Sequence, residues 1–393
     1  MNCVGVHAYG GSLTLAAKDA GFTPLAQLES DKDHYRMAVR YFGDRLLVLD
    51  PLSEWKDALH FLGHEPIHLV YGQPLWKSAR VMNNQLMDEN PAVDDFVMVT
   101  KKLNPQFILL AAARRAKEQI QKRLSRDLPN YSLTFVRTNA LLHGLPQDKD
   151  ILFVFGCNNI IQSTIIANVI EKNRPADFKD AKDVPKLWDA IAPFSLAEPA
   201  ENGSKSDGRS INGFDDLISS HVIPGRKKSV LSRILWESIP LLEEGQTFDN
   251  IEERPPIFIE KGENYFQKGQ LPIRFHRELP ATAIYATERY IHPSLARPMT
   301  LRELAVLFGV PNNFDLGPYF GPGLTILGRF TPIPAAVWAF KIFDSASFED
   351  TVNVDDFVPN QEFDLFSTKS RDIYSRLKKQ HGKWVDAYEQ KAS

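Results

Sequence analysis

The sequence predicts an α/β protein with a mostly parallel, doubly wound central sheet and a second, irregular region. Short apolar runs of strand length alternate with amphipathic runs of helix length through the first 160 residues. Strands that alternate with helices at this spacing pair in parallel, with the helices on both faces of the sheet. The alternation stops near residue 166, and a stretch rich in Gly, Ser and Asn follows at 197–213.

The predicted elements of the sheet domain follow from these runs in order. The strands are NCVGVHA (2–8), TPLAQLES (23–30), RLLVLD (45–50), IHLVYG (67–72), QFILLA (106–111), SLTFVRTNA (132–140) and ILFVFGC (151–157). The helices are SLTLAAKDAG (12–21), DKDHYRMAVRYFG (31–43), PAVDDFVMVTKKL (91–103) and RRAKEQIQKRLSRD (114–127). Gly21 suits the position just after the first helix, where a left-handed conformation commonly ends a helix.

The second half of the chain predicts a smaller domain and a return to helices. Residues 254–286 contain short apolar runs separated by turn residues. TLRELAVLFG (300–309) begins with a capping box of Thr300 and Glu303, and TPIPAAVWAFKIF (331–343) predicts a helix that packs on the first domain. We therefore predict three parts. They are a catalytic-fold domain at 1–165 plus 286–345, a small domain at 166–285, and a C-terminal extension at 346–393 that ends in an amphipathic helix.

The composition narrows the class of protein. It is 43% hydrophobic and 24% charged with a net charge of −3, which is typical of a soluble globular protein and argues against general polyanion coating. No apolar stretch reaches the roughly 18 residues of a membrane span, and the first residues do not resemble a secretory signal. A cytoplasmic protein is expected, with nucleoid association if its source is bacterial or viral. We interpret Cys3 and Cys157 as buried reduced thiols.

A metal site is not predicted. His60, His64 and His68 are spaced four residues apart, and a pair at this spacing on one helix can ligate a metal. Pro66 interrupts the run and makes that helical geometry unfavourable.

One late segment carries a distinctive set of residues. Within 274–314 these are, in order, Arg277, Pro280, Thr282, His292, Pro293, Arg297, Thr300, Arg302, Glu303 and Pro311. The set resembles the DNA cytosine-C5 methyltransferase family, which has Arg, Pro-x-Thr, His-Pro, Arg-x-Leu-Thr-x-Arg-Glu and a Phe-Pro-Asp-like turn in this order. NALLHGLPQDKDILFVFG (139–156) is similar to the family's Gly-x-Pro-Gln segment, and LGRFTPIPAAVWAFKIF (327–343) to its closing helix, with Arg329 in place of an Asn. The likeness runs from about residue 3 to 343.

The resemblance implies a methyltransferase-like Rossmann fold and a reaction. A large domain would bind S-adenosylmethionine at the C-terminal ends of its strands, and a small target-recognition domain would read DNA. The target cytosine would be flipped out of the duplex. A Cys thiolate attacks C6, because a neutral ring carbon is a poor electrophile, and a Glu at N3 stabilises the charge that develops on the ring.

The nucleophile of that reaction is missing at its expected position. After the fourth strand the family has Pro-Cys-Gln-x-x-Ser, whereas YGQPLWKSARVMNN (71–84) has Leu75 and Trp76 at the two possible alignments of the cysteine. Ser78 is the nearest alternative nucleophile, and it has no evident neighbouring base.

Two further catalytic elements also differ. Ala111 stands where the family has the Glu of Glu-Asn-Val. In the family's Gln-x-Arg-x-Arg motif Gln147 is kept, but Lys149 and Ile151 replace the two arginines. Loss of the nucleophile, the acid and the cations together predicts no methyl transfer, so we assign no catalytic residue.

The cofactor positions are partly changed as well. The family has a Phe-x-Gly-x-Gly-Gly turn, because glycines let backbone amides approach the ligand. The matching residues here are His7, Tyr9, Gly11 and Ser12. Gly10 could supply some backbone freedom to a shifted turn. Glu29 stands where an acidic residue of the family would hold the ribose of the cofactor, and Asp50 stands where one would contact its adenine. Both carboxylates could instead be solvated strand ends. We predict weak or absent S-adenosylmethionine binding.

The basic residues of the small domain suit phosphate contacts. The candidates for DNA binding are Arg226, Lys227, Lys228, Arg233, Arg274 and Arg277. A solvated basic face is the alternative, and we interpret the basic run at 114–126 in that way.

Three hypotheses for function follow. The first is an inactive relative of the cytosine-C5 methyltransferases that binds DNA or regulates an active partner protein. The second is an enzyme with different chemistry that acts on a pyrimidine in DNA, modified or not, or on a nucleotide. The third is a methyltransferase completed by a second subunit.

Overall fold

The computed structural model describes most of the chain in two compact units. The described residues are 1–29, 31–42, 47–49, 62, 65–74, 91–195, 197–200, 220–226, 229–262, 265–266, 270–347 and 361–381. The first unit comprises Met1–His143, Asp150–Ala176 and Arg329–Phe366. The second comprises Gly144–Lys149, Asp177–Gly328 and Ser367–Ser393.

The first unit is built on an eight-stranded sheet. Its strands are β1 (Asn2–Val6), β2 (Thr23–Leu28), β3 (Leu47–Leu49), β4 (Leu69–Gly72), β5 (Phe107–Ala112), β6 (Ser132–Asn139), β8 (Asp150–Cys157) and β12 (Glu362–Asp364), with β7 (Gln147–Asp148) in the second unit. Their order across the sheet is β12-β6-β8-β5-β4-β1-β2-β3. Strand β8 runs antiparallel to β5 and β6, and every other neighbouring pair is parallel. The predicted mostly parallel α/β fold is confirmed.

Helices cover both faces of this sheet. The described α-helices of the first unit are α1 (Ser12–Asp19), α2 (Lys32–Phe42), α3 (Pro91–Leu103), α4 (Lys117–Asp127), α5 (Ile160–Lys172) and α11 (Ile333–Ala346). Strand β5 is buried along its whole length, as expected for a strand covered on both sides. Its Ile108 and Leu110 share one core cluster with Phe96 of α3 and Leu124 of α4. Its Phe107 turns to the other face, where it packs on Phe343 of α11.

The C-terminal extension contributes one edge of the sheet. Strand β12 pairs in parallel with β6, in register from Glu362 with Phe135 to Asp364 with Arg137. Arg137 donates a hydrogen bond of 3.2 Å to Asp364, and Lys117 forms an ion pair with Glu362. The sequence predicted only a terminal helix for this region, because a three-residue edge strand carries too little periodicity to be read.

The second unit is irregular, as predicted. Its remaining strands are β9 (Ile273–Arg274), β10 (Ala281–Thr282) and β11 (Tyr290–Ile291), and each pair of strands in it joins only two residues. Its described α-helices are α6 (Leu187–Ser195), α7 (Val230–Ser238), α8 (Pro256–Lys261), α9 (Leu301–Val306), α10 (Phe320–Leu327) and α12 (Thr368–Gln380). A separate hydrophobic cluster, which includes Ile234, Phe248 and Phe258, forms the core around α7 and α8.

The capping box at Thr300 is present as the sequence predicts. The Thr300 hydroxyl accepts a hydrogen bond of 3.0 Å from the backbone N–H of Glu303, and the Glu303 carboxylate accepts one of 2.8 Å from the N–H of Thr300. Helix α9 packs against α6, so residues 286–328 lie in the second unit. The sequence instead predicts that residues 286–345 belong to the catalytic-fold domain, and this assignment of residues to domains by function stays a prediction.

The C-terminal amphipathic helix is α12, which buries Ile373 and Leu377 on one face. Trp384 and Tyr388, which continue the apolar pattern, lie outside the described residues. Among the helices that the structure describes, none has the length and apolarity needed to cross a bilayer.

Candidate functional site

The parallel strands end at one edge of the sheet, and polar side chains follow several of them directly. His7 follows β1, Glu29 follows β2, and Gln73 follows β4. In open parallel sheets this carboxyl edge is where ligands bind. The candidate site is therefore the set of residues at the carboxyl edge of β1, β2, β4 and β5, and all of it lies in the first unit.

The turn after β1 has an unusual backbone. His7, Tyr9, Gly10 and Gly11 have φ values of 51°, 45°, 76° and 102°. Left-handed conformations suit glycine and cost other residues about 1–2 kcal/mol each. A Cβ at position 11 would collide with the ring of Phe42 in α2, so this glycine is required by packing as well as by its dihedral angle. Gly10 and Gly11 thus have left-handed backbone, together with two non-glycine residues in the same turn.

Glu29 is held beneath this turn. Its Oε1 accepts a hydrogen bond of 2.7 Å from the backbone N–H of Tyr9 and one of 3.2 Å from the Gln27 amide. Its Oε2 is buried and has no hydrogen-bond partner among the described residues. Burial raises the pKa of Glu29, and the nearby His34 and His7 with the Tyr9 N–H offset only part of that rise. The carboxylate therefore supports the turn from inside the protein and is not a solvated strand end.

Three side chains pack together above the turn. The Tyr9 ring is fully buried, and it lies edge-on to His34 at 5.0 Å and 5.8 Å from the guanidinium carbon of Arg329. Arg329 also contacts His34 Nε2 at 3.3 Å and Asp31 at 3.7 Å. We call Tyr9, His34 and Arg329 the plug. They fill the side of the turn that a glycine at position 9 would leave open.

Polar contacts fix the plug to neighbouring strands. Gln73, which is buried after β4, donates a hydrogen bond of 3.3 Å to the Arg329 carbonyl and another to the Thr331 hydroxyl. His7 is buried and lies 2.8 Å from Asp95 of α3 through its Nε2. The segment that enters α11 is thereby tied to the carboxyl edge.

The residues present do not fit S-adenosylmethionine as the resemblance implies. Glu29, the residue expected at the ribose, is buried beneath the Tyr9 amide, and Tyr9 occupies the place of the first glycine. Asp50, the residue expected at the adenine, lies outside the described residues.

Two of the family's catalytic positions hold apolar side chains that belong to the sheet. Ala111 of β5 is buried and pairs with Phe153 of β8. Ile151 of β8 is buried and pairs with Thr138. Leu75, Trp76 and Ser78 lie outside the described residues.

Gln147 and Lys149 are both buried in the second unit. Neither the oxygen nor the nitrogen of the Gln147 side chain has a hydrogen-bond partner among the described residues. The Lys149 amine lies 4.4 Å from the centre of the Phe308 ring, and burial lowers the pKa of this lysine to about 7.

Both cysteines of the chain lie at the opposite, amino-terminal edge of the sheet. Cys3 pairs with Leu69, the first residue of β4. Cys157 ends the antiparallel strand β8 and pairs with Phe107, the first residue of β5. Both thiols are buried, and burial raises the pKa of Cys3 and raises that of Cys157 to about 11. The interpretation of two buried, reduced thiols is in accord with this geometry.

The predicted DNA-binding residues have different surroundings in the second unit. Arg226 is exposed and lies over the Trp236 ring at 4.6 Å. Arg233 lies 3.7 Å from both Glu237 and Glu260. Lys227 and Lys228 lie outside the described residues.

Arg274 and Arg277 are engaged within the protein. The Arg274 guanidinium donates hydrogen bonds to the carbonyl oxygens of five residues, namely Ile239, Leu242, His292, Pro293 and Leu295. Arg277 is half exposed and holds Glu244 through Nε at 3.0 Å and Nη2 at 2.9 Å. Arg274 thus joins several loops of the second unit, whereas Arg277 remains near the surface.

A Ser–His–Glu cluster in the second unit is structural. Ser195 Oγ lies 2.8 Å from His292 Nε2, and that same nitrogen lies 3.7 Å from Glu303. His292 Nδ1 accepts hydrogen bonds from the backbone N–H groups of Ser294 and Leu295, so it carries no proton. In a hydrolytic triad the acid contacts the nitrogen remote from the serine, which this arrangement does not provide.

Sequence reasoning missed His34 and Asp95 as parts of the site. His34 lies within a helical run, where a histidine is more often a core residue, and only its i, i+3 spacing from Asp31 points to the contact of 3.0 Å between its Nδ1 and the Asp31 carboxylate. His60 and His64 are not described, and His68 Nδ1 accepts a hydrogen bond from the N–H of Asn2. Within the described ranges no group of three or more His, Cys, Asp or Glu residues could hold a metal ion.

The fold that carries this carboxyl-edge site is similar to that of solved methyltransferase structures. A prophage-encoded E. coli protein assigned as a DNA modification methyltransferase aligns with a TM-score of 0.63 at 18% identity, over 89% of this chain and all of that one. The S. pombe Dnmt2 methyltransferase aligns at 0.53 and 12% identity, over 88% of this chain and all of that one. The Entamoeba histolytica methyltransferase EhMeth aligns at 0.52 and 13%, over 89% of this chain and 99% of that one.

These similarities confirm, at the level of the fold, the resemblance to the cytosine-C5 methyltransferases. No protein-family model and no curated protein sequence matches the chain.

Proposed function

We propose that this protein binds DNA through a methyltransferase fold and does not methylate cytosine by the thiolate mechanism. It acts on DNA directly or through an active partner enzyme, within the cytoplasm or nucleoid. The proposal assigns no catalytic residue and no cofactor.

The position of the two cysteines carries the proposal. The cytosine-C5 reaction needs a thiolate beside the substrate, and the chain has only two cysteines. Both are buried at the amino-terminal edge, away from the carboxyl edge where a substrate would lie. Ala111 removes the carboxylate expected beside that thiolate.

The plug is the second argument for the proposal, because it occupies the turn at which S-adenosylmethionine would bind. Tyr9, His34 and Arg329 contact one another, and by the resemblance Tyr9 replaces a glycine and Arg329 an asparagine. Gln73 and Asp31 hold two of the three in place. Displacing the plug would expose buried aromatic surface and break several polar contacts, so it opposes binding at this turn.

DNA as the ligand is supported by the fold of the similar solved structures and by exposed cations of the second unit. One similar protein is assigned to DNA modification. Arg226 presents its guanidinium beside Trp236, and Lys227 and Lys228 follow it in the chain. Arg and Lys side chains of this kind contact phosphates without reading sequence.

A second candidate is an enzyme with different chemistry on a pyrimidine. The observation that favours it is the pair Gln147 and Lys149, since a buried amide without partners calls for an explanation and a lysine with a pKa of about 7 can act as a base. Mass spectrometry of nucleosides from DNA that contains cytosine, 5-methylcytosine or 5-hydroxymethylcytosine tests this candidate. A product lost in Gln147→Leu would replace our proposal with this one.

The experiment for the main proposal measures binding and methyl transfer on one preparation. Fluorescence anisotropy with duplex DNA is expected to show binding that weakens as salt rises, because phosphate contacts release counterions. Labelled S-adenosylmethionine is expected to transfer no methyl group to the same DNA, while an active cytosine methyltransferase does so in parallel. Salt-independent binding, no binding, or methyl transfer would each contradict the proposal.

A further inference from the structure

Two consecutive arginines lie at the carboxyl edge of the central sheet. Strand β5 ends at Ala112, and Arg114 and Arg115 open the short 3₁₀ turn Arg114–Ala116 that follows it. Both side chains are exposed, and neither has an ion-pair or hydrogen-bond partner among the described residues. Glu118, one helical turn beyond Arg114, pairs with neither.

Three of the four basic residues that follow in α4 differ from this pair. Lys117 forms an ion pair with Glu362 of β12. Arg123 forms ion pairs with Asp94 and Asp127, and Arg126 lies 2.8 Å from Asp127. Lys122, within α4, is exposed and has no partner among the described residues. The charge of Lys117, Arg123 and Arg126, three of the six cations in the run at 114–126, is neutralised within the first unit. The positive charge of Arg114 and Arg115 is not.

The position of Arg114 and Arg115 on the sheet suits ligand binding. The pair follows the position of Ala111, where the resemblance puts the catalytic carboxylate, and it lies at the same edge as His7 and Gln73. Ligands of open parallel sheets bind at this edge. Arginine presents a planar fork of donors that matches a phosphate, and the short turn after a buried strand fixes the backbone from which both side chains extend.

We propose that Arg114 and Arg115 contact the phosphodiester backbone of duplex DNA at the carboxyl edge of the sheet. The contact is additional to those of the second unit, and it rests on the proposed DNA-binding function. It fixes the position of the DNA on the first unit although the methyl-transfer residues are absent.

The chain offers a matched control for a test. Lys101 and Lys102 end α3, which leads from β4 to the start of β5, so they lie at the amino-terminal edge. They too are exposed and have no partner among the described residues. The variants Arg114→Gln/Arg115→Gln and Lys101→Gln/Lys102→Gln remove the same charge from opposite edges.

The measurement is the dependence of the duplex-DNA dissociation constant on salt, for the full chain. Each phosphate contact contributes about 0.9 to the slope of log K against log salt, so loss of two contacts should flatten the slope by about 1.8. We expect the arginine variant to bind roughly tenfold more weakly at low salt, by the usual strength of exposed ion pairs. The lysine variant should match the wild type. Circular dichroism checks the fold, and the single variants Arg114→Gln and Arg115→Gln serve if the double variant unfolds.

Each other outcome has a distinct meaning. Unchanged binding by the arginine variant would overturn this inference and leave the proposed function standing. Equal loss in both variants would show a general charge effect and would also overturn it. An arginine effect seen with an RNA duplex of equal length but not with DNA would overturn the choice of DNA. No binding by the wild type would remove the proposed function itself.

Discussion

The guanidinium of Arg329 lies 5.8 Å from the centre of the Tyr9 ring, and the two residues come from opposite ends of the first unit's sequence. By the resemblance to the cytosine-C5 methyltransferases, Tyr9 stands at the position of a glycine and Arg329 at that of an asparagine. The two large side chains contact each other and His34, so the changes complement one another structurally. A turn that opens toward a ligand in the family is filled here by the protein's own residues.

Opening the plug should restore room for a nucleoside ligand. In Tyr9→Gly/Arg329→Asn the ring and the guanidinium are removed, and glycine adopts the φ of 45° without strain. We expect measurable binding of S-adenosylhomocysteine by isothermal titration, and none by the wild type. Loss of a buried aromatic should cost about 3 kcal/mol of unfolding free energy.

The control for this experiment is Tyr9→Phe/Arg329→Lys, which keeps the bulk of both side chains. It should bind no more ligand than the wild type. Micromolar binding of S-adenosylhomocysteine by the wild type would show that the plug does not block the turn.

Because the pKa of Glu29 is raised, we expect its contribution to the stability of the folded protein to fall as pH rises. Its folded-state pKa is raised by burial, so the fold favours the protonated carboxyl. Below the pKa of about 4.3 that a glutamate has in the unfolded chain, Glu29 is protonated in both states and burial costs no stability. As pH rises through the folded-state pKa, the unfavourable free energy of ionising the buried carboxyl destabilises the fold. Glu29→Gln, which cannot ionise, should therefore be more stable than the wild type at pH 8. Urea unfolding from pH 4 to 8 measures this, and a pH-independent difference would contradict the role given to burial.

Glu303 predicts the opposite pH dependence. Burial alone would raise its pKa, but the hydrogen bonds of 2.8 and 2.7 Å from the Arg297 guanidinium, the charge of that group and the Thr300 N–H lower it overall. Ionised Glu303 therefore stabilises the fold at pH values above about 4.3, the pKa of a glutamate in the unfolded chain. This stabilisation is lost as pH falls through the lower pKa of Glu303 in the folded protein. Glu303→Gln should cost about 3 kcal/mol at pH 7, because it leaves Arg297 without its charge partner. The gap between variant and wild type should narrow in acid, and a constant gap would argue against this account.

The comparison of Thr300 with Tyr9 shows what the sequence can predict. The capping box at Thr300 is local, since side chain and backbone meet within three residues, and it was predicted correctly with its helix. The strands β4 and β5 were equally clear, because strands buried on both faces read as continuous apolar runs.

The plug could not be predicted, because its contacts join residues far apart in the chain. Position 9 reads only as a lost glycine in the sequence, whereas its contact with Arg329 requires α11 to return to the edge where β1 ends. Arg274 is a similar case. A basic residue in a basic segment suggested a phosphate contact, but its donors meet carbonyl oxygens that only the folded loops bring together.

Arg274 and Arg277 should differ sharply when each is replaced by alanine. Arg274→Ala leaves several carbonyl oxygens without donors and should cost about 3 kcal/mol of unfolding free energy. Arg277→Ala removes a half-exposed ion pair with Glu244 and should cost less than about 1 kcal/mol. Urea denaturation of both variants measures the difference. Equal, small effects would mean that the Arg274 contacts contribute little to the second unit.

Thiol reactivity tests the observation on which the proposed function depends. A nucleophilic cysteine is accessible and has a lowered pKa, whereas Cys3 and Cys157 are buried and burial raises the pKa of both. With Ellman's reagent at pH 8, the native protein should therefore show no reaction during the time in which free cysteine reacts fully, and both thiols should react in guanidinium chloride. Cys3→Ala and Cys157→Ala assign any reactive thiol. Rapid reaction of either one in the native protein would mean that a thiolate is available after all, and the thiolate mechanism would again have to be considered for this fold.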